Sequence, residues 1–437
     1  MRSQRSDRLP IRAALALVAV AGAPALAQQP QQQVRPPIAQ YWMDVATSNM
    51  SIPGMPSAAS GGAGMLGSMM GGMAGGGRGG FGGAGRSLDL SLYTRNKPEG
   101  ADGRHATPPP SRFDSPLPLV PFRVQRDPGT RTPTEPGEEI EKPKLRMLMY
   151  WGCGDSVRTG QPRVIDTASM SPVEFGRAMT SRGATDRSAA RAAGRSVWPN
   201  ATDRRTVAQD ASLLGGHKVT GDGVPDINFG IAAAQDFMAP VELTLTGEPA
   251  SSVLVEWKPI PTARAYFAQA MGSRGEGEMV IWTSSEVPET GFGLIDYLPN
   301  NLVERWLGER VLMPTSTTRC AIPKGIFAGV EGAMVRFIGY GEELHLVHPP
   351  RPSDPRVTWE QIWAARVRVK STGMGMLEAG ESQSARRDER SRRSSERAPA
   401  DSTQSKEATE GASQPSGQGG ILPGVSPTDL LRGILRR

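Results

Sequence analysis

The sequence predicts a mainly β protein, with antiparallel, sandwich-like modules, short helices, and long disordered N- and C-terminal segments. Two observations carry this prediction. Many short runs alternate apolar with polar residues, the period of two that is typical of a half-buried strand, and Gly and Pro separate these runs. The 437 residues include 52 Gly and 38 Pro but only 5% aromatic residues, so a large share of the chain is not core.

The first 27 residues have the pattern of a secretory signal peptide. Arginines lead into an apolar run over residues 13–23, and Ala25 and Ala27 form the small-x-small site at which a signal is cleaved. We therefore predict an exported protein, located in the periplasm, in the outer envelope or in the medium. The sequence leaves these three locations open.

Residues 28–87 are predicted to be a disordered leader, Gln/Pro-rich at first and Gly/Met-rich from 60 to 86. Tyr41 to Ala46 is an ordered-looking island within it, typical of a short strand or a docking segment. The density of glycine over 60–86 favours a flexible linker. The four-residue spacing of these glycines is also typical of packing between membrane helices, an alternative that liposome flotation of this peptide would test.

Residues 88–237 are predicted to be a β-containing region with a helical insertion. Alternating leucines over 88–92 indicate a first strand, and a second alternating run covers 144–151. The motif Ser-Pro-Val-Glu at 171–174 is a capping box with proline at the first helical position, which predicts a short helix. The Ala/Arg/Ser-rich stretch 180–205 is interpreted as the insertion, either helical or loose.

Residues 238–371 are predicted to form a β-sandwich-like domain, because strand-like runs become dense there. In the last run, Arg366, Arg368 and Lys370 share one face of the strand. A helix-like segment lies around 301–307. The sequence leaves open whether this region and 88–237 are one domain or two. The strand-like runs cover 241–246, 253–258, 265–271, 278–284, 321–325, 333–340, 344–348 and 363–370.

Within this region, a tryptophan strand is followed by a proline turn and a strand that carries tyrosine. The residues are Val253 to Trp257, then Pro259 and Pro261, then Tyr266. This order resembles the second and third strands of fibronectin type III modules over about 239–285. The resemblance implies a β-sandwich used for binding or spacing, and it supplies no catalytic residues.

Residues 372–437 are predicted to be a disordered tail, since Ser, Gln, Gly and mixed charges replace the strand pattern. The tail ends in a short amphipathic helix that begins near Ser426 and carries leucines opposite arginines. Such a helix docks on a partner, makes peripheral contact with an anionic membrane, or packs back on its own domain. All three remain open.

The two cysteines, Cys153 and Cys320, follow or flank strand-like sequence. Because an exported protein meets an oxidising compartment, we predict one disulfide between them. Two buried free thiols are the alternative.

The serine at 156 raises one catalytic alternative. Gly154-Asp155-Ser156-Val157 follows an apolar strand and resembles the serine block of GDSL-type hydrolases. That family also needs an Asp-x-x-His pair after the block, in which the histidine activates the serine. The only such pair here, Asp102 and His105, precedes the block. We therefore predict no catalytic residues and keep a Ser156 hydrolase as the alternative.

Metal, cofactor and nucleic-acid sites are not predicted. His345 and His348 lie three apart on a strand-like run and would face opposite sides of it. The acidic turn at 221–226 resembles the end of a calcium loop, but Lys218 occupies one position that needs an oxygen ligand, which favours a plain turn. The net charge of +6 arises from 50 basic and 44 acidic residues, a mixed balance that argues against nucleic-acid binding in an exported protein.

Taken together, these features predict an exported cell-envelope protein with a structural or binding role and without enzymatic activity. An envelope protein or a surface polymer is the expected partner. A periplasmic assembly factor that offers strand edges to its partners is a further alternative. The oligomeric state is left open.

Overall fold

The computed structural model describes residues 32–51, 84–123, 145–184, 189, 191–275, 277–330 and 332–378. The signal peptide predicted for 1–27, most of the Gly/Met-rich linker and the C-terminal amphipathic helix lie outside these ranges. Across the described residues the fold is mainly β with two short α-helices, which confirms the predicted class.

Nineteen strands and the two α-helices are described. In chain order, the first eleven elements are β1 (Val34–Arg35), β2 (Ala39–Ser51), β3 (Gly85–Thr94), β4 (Gly103–Ala106), β5 (Leu117–Pro121), β6 (Arg146–Trp151), β7 (Arg163–Asp166), α1 (Pro172–Ala178), β8 (Ser196–Trp198), β9 (Gly215–Gly221) and β10 (Val224–Ile231). The remaining elements are β11 (Leu243–Thr246), β12 (Val253–Trp257), β13 (Ala265–Arg274), β14 (Glu278–Thr283), α2 (Asn300–Gly308), β15 (Arg319–Ile322), β16 (Gly332–Tyr340), β17 (Leu344–His348), β18 (Trp359–Glu360) and β19 (Trp363–Glu378).

Fourteen strands form one large sheet. Its strand order is β10-β9-β4-β5-β8-β3-β2-β19-β16-β13-β14-β6-β7, and β17 also pairs with β19. Most neighbours are antiparallel, whereas β2 with β19 and β6 with β14 are parallel. Strands from both 88–237 and 238–371 therefore share this sheet. A three-stranded sheet, β11-β12-β15, and the pair β1-β18 complete the architecture.

The largest hydrophobic cluster lies on one face of the large sheet. Tyr41, Met43 and Val45 of β2 point into it, and Val255 and Trp257 of the small sheet belong to the same cluster. Residues of β9 and β10 also pack into it. The alternation of apolar residues along each strand produces this shared core.

The two helices belong to separate, smaller clusters. Helix α2 buries Val303 and Trp306 in a cluster with Phe267 and Tyr340 of the large sheet. Helix α1 buries Phe175 in another. Its predicted capping box is confirmed: the backbone N–H of Glu174 donates to the Ser171 hydroxyl, and the Glu174 carboxylate accepts from the Ser171 N–H.

The prediction of a disordered leader over 28–87 was wrong for residues 34–35, 39–51 and 85–87, which lie in β1, β2 and β3. The ordered-looking island at 41–46 is part of the 13-residue strand β2, which lies between β3 and β19 in the middle of the large sheet. Its alternation continues through small and polar residues, and pairing on both sides holds it in place. The predicted tail is also shorter, because β19 continues to Glu378.

None of the described helices is long and apolar enough to cross a membrane. In the stretch 180–205, interpreted from sequence as an insertion, residues 196–198 form β8, which pairs with β3 and β5.

Candidate functional site

A chain of three buried polar rings links the middle of the large sheet to one of its ends. The Tyr41 hydroxyl lies 2.8 Å from Nδ1 of His105, and Nε2 of His105 lies 2.9 Å from Nδ1 of His217. Nε2 of His217 lies 2.7 Å from the carbonyl oxygen of Leu213. Tyr41 and His105 are fully buried, and His217 is 2% exposed.

The last acceptor fixes the direction of every hydrogen bond in this chain. A carbonyl oxygen only accepts, so Nε2 of His217 carries a proton, and in the neutral ring Nδ1 of His217 then accepts from His105 Nε2–H. Nδ1 of His105 in turn accepts from the Tyr41 hydroxyl. All four ring nitrogens are therefore satisfied when both histidines are neutral.

Electrostatics favour the same neutral state. Burial lowers the pKa of His105 well below its ordinary value, and the neighbouring His217 lowers it further. Burial also lowers the pKa of His217 and raises that of Tyr41 well above its usual range. The Phe229 ring stacks on His217, with ring centroids 5.2 Å apart and planes 13° apart.

A groove of about 530 Å³ lies beside this chain, on the sheet formed by β4, β9 and β10. Gly216 and Gly230 are directly opposite one another across β9 and β10. A Cβ built at Gly216 meets nothing within 4 Å, so the groove is open at this point. The residues that line the groove are Ala106, Thr107, Gly216, His217, Lys218, Asn228, Phe229 and Gly230.

The rim of the groove carries exposed polar groups. Lys218 and Asn228 point away from the core on neighbouring strands, and the Lys218 ammonium pairs with Asp226 at 2.9 Å. Glycine, amide and ammonium groups on a shallow surface can accept an extended ligand and hydrogen-bond to it. This groove is the candidate binding site.

A second polar cluster lies on the other face of β2 and β19. Arg368 donates two hydrogen bonds of 2.8 Å to the Asp44 carboxylate, and both side chains are 2% exposed. The Asp44 carboxylate also accepts from the Ala189 N–H. Lys370 is equally buried, lies 4.3 Å from the centre of the Tyr297 ring, and has a pKa lowered by burial. On the predicted charged face of β19, Arg368 and Lys370 thus belong to a buried network that holds loops against the sheet, whereas Arg366 is partly exposed and pairs with Glu343.

The predicted disulfide between Cys153 and Cys320 is present. Two backbone hydrogen bonds beside the disulfide fix the turn that follows β6. The Gly154 N–H donates to the carbonyl oxygen of Ala321, and the Lys324 N–H donates to the backbone carbonyl oxygen of Asp155. Ser156 is exposed in this turn. Each of the four histidines lies in another part of the sheet, on β4, β9 or β17.

The remaining sequence features are also placed by the structure. His345 and His348 lie on β17, where strand alternation directs them to opposite faces, and His348 stacks on Trp363. The acidic segment at 221–226 forms the β9–β10 hairpin, and Gly223 adopts a φ of 69° in its turn. Across the described ranges, no three His, Cys, Asp or Glu side chains are arranged to hold a metal ion.

The sequence interpretation did not find the histidine chain. His105 and His217 are 112 residues apart, and no local motif links them. The one available signal is the alternation along β9, where His217 occupies the same face as the buried Val219.

Comparison of the chain with protein-family models and with curated proteins finds no match.

Proposed function

We propose that this is an exported, non-catalytic binding protein of the cell envelope, and that the groove on β4, β9 and β10 is its binding face. One observation carries the proposal. Paired glycines leave the outer side of the sheet open beside the hydrogen-bonded histidines, so a ligand can contact the backbone there without displacing a side chain.

The occupied ring nitrogens support binding over catalysis at this site. A general base needs a nitrogen that can take a proton from a bound substrate. Both nitrogens of His217, the histidine that lines the groove, are engaged, one with His105 and one with a carbonyl oxygen. Ser156 is exposed and lies on the turn after β6.

The groups around the groove indicate the chemistry of its partner. Lys218 donates hydrogen bonds, whereas Asn228 and Thr107 both donate and accept them. A surface polymer rich in hydroxyl groups and an extended segment of an envelope protein both offer the complementary groups. The signal-like N-terminal sequence supports an encounter with either one in the envelope.

A single substitution tests the groove. Gly216→Leu would fill it, because nothing lies within 4 Å of the new Cβ. Gly308→Leu is the matched control, since Gly308 is exposed at the end of α2 and has the same free space. The assay is co-sedimentation of the purified protein with isolated cell envelopes.

We expect the unsubstituted protein and Gly308→Leu to sediment with the envelopes and Gly216→Leu to stay in the supernatant. Pretreating the envelopes with protease or with polysaccharide-degrading enzymes then distinguishes a protein from a polymer partner. Equal sedimentation of the two variants would show that the groove is not the binding face.

A further inference from the structure

Three methionines on adjacent strands form a row that the proposed binding role does not use. Met271 of β13 is directly opposite Met334 of β16, and Met334 is directly opposite Met376 of β19. Directly opposite residues on antiparallel strands point to the same face, with Cβ atoms about 5 Å apart. We call Met271, Met334 and Met376 the methionine row.

The methionine row is partly exposed, unlike the methionines of the core. Met43 and Met238 are almost completely buried in the largest cluster, whereas all three members of the row keep accessible surface. In the described part of the chain, Met334 and Met376 belong to none of the three hydrophobic clusters. Met271 packs against the cluster that contains Phe175 of α1, whereas filling a core gap does not account for Met334 and Met376.

More thioether groups surround the row on the same face. Met374 precedes Met376 by two residues, so the two share a face, and Met374 is directly opposite Met50 of β2. Met279 lies two residues from Ile281, the residue opposite Met271. Long, unbranched methionine side chains can adjust so that several sulfur atoms approach one point.

Thioether sulfur is a soft ligand that selects soft ions such as Cu(I). Hard divalent cations prefer oxygen ligands. The guanidinium of Arg336, two residues from Met334 on the same face, repels any cation, but it repels a single charge less than a double charge. The two cysteines are joined in the disulfide, which leaves methionine as the sulfur ligand of this chain. An ion of single charge that binds through sulfur fits the row best.

We propose that the methionine row binds one monovalent soft metal ion, Cu(I), through the thioethers of Met271, Met334 and Met376. The proposal is independent of the groove. Binding forms Cu–S bonds without any change in oxidation state and releases no proton.

The test is a competition titration of the disulfide-intact protein with Cu(I) against a chromophoric Cu(I) chelator, without oxygen. The variant Met271→Leu/Met334→Leu/Met376→Leu keeps the volume and apolar character of the row but removes its sulfur atoms. Met43→Leu/Met238→Leu is the control, because these two methionines lie in the largest cluster, which contains no member of the row. Urea midpoints of all three proteins verify that each is folded.

We expect the unsubstituted protein and the control to withdraw Cu(I) from the chelator, and the row variant to bind it more than about 100-fold more weakly. The methyl resonances of the three row methionines should shift on addition of Cu(I). Unchanged affinity in the folded row variant would overturn the proposal. So would failure of the unsubstituted protein to compete with the chelator.

Discussion

Acidification should destabilise this protein well before its carboxylates titrate, because two histidines are buried in their neutral form. Burial lowers the pKa of both His105 and His217. In the unfolded chain each histidine returns to an ordinary pKa of about 6.5. Below this pKa the unfolded state binds protons that the folded state does not bind. The free energy of unfolding is therefore highest above the unfolded-state pKa and decreases as the pH falls through it.

The magnitude follows from proton linkage. A histidine that stays neutral in the folded state loses about 1.2 kcal/mol of unfolding free energy between about pH 7 and about pH 5.5. For His105 and His217 together the expected loss is therefore at most about 2.5 kcal/mol. Ordinary carboxylates titrate below about pH 5, so this window isolates the histidines.

Urea unfolding at a series of pH values measures this loss. Replacing His217 with glutamine should reduce the pH dependence, because one group with a lowered pKa is gone, while His105 and the partly buried His345, whose pKa values are also lowered, keep their contributions. A free energy of unfolding that stays constant across this window would refute the neutral histidine chain.

Three further changes test the core, each by urea unfolding at neutral pH. Asp44→Asn should cost about 3–5 kcal/mol, because the buried Arg368 loses the carboxylate that accepts two of its hydrogen bonds, and a free energy of unfolding within about 1 kcal/mol of the original would contradict this. Lys370→Met should change stability less, since it removes a buried charge, and the Asp296 carboxylate that pairs with Lys370 at 3.5 Å keeps 22% of its surface in contact with water. Replacing Cys153 and Cys320 together by serine should cost up to about 5 kcal/mol, the loop-closure value for cysteines 167 residues apart.

Local patterns in the sequence predicted most individual elements. The run at 344–348 coincides with β17, and the capping box begins α1 as expected. Most of strand β2 was not predicted, because the residues at its two ends are mostly small or polar and the sequence before it is rich in Gln and Pro. Its position is set by pairing with β19, more than 300 residues later, and local composition does not record such a partner.

The candidate site was less predictable than the fold. His105 and His217 become neighbours only because β4 pairs with β9, in a register that places His105 opposite Val219. The glycine pair that opens the groove likewise depends on the register of β9 against β10. The charged face of β19 was recognised, but its burial depends on Asp44 of β2 and on the loop that carries Tyr297.

The central claim is that the groove contacts a partner in the cell envelope, and photocross-linking in intact cells tests it most directly. A photoreactive residue in place of the exposed, groove-lining Asn228 should give discrete cross-linked products. The same residue in place of Val164, which is 40% exposed on β7 at the other end of the large sheet, should give none. Absence of products from position 228 in an exported, folded protein, or equal products from both positions, would contradict the account.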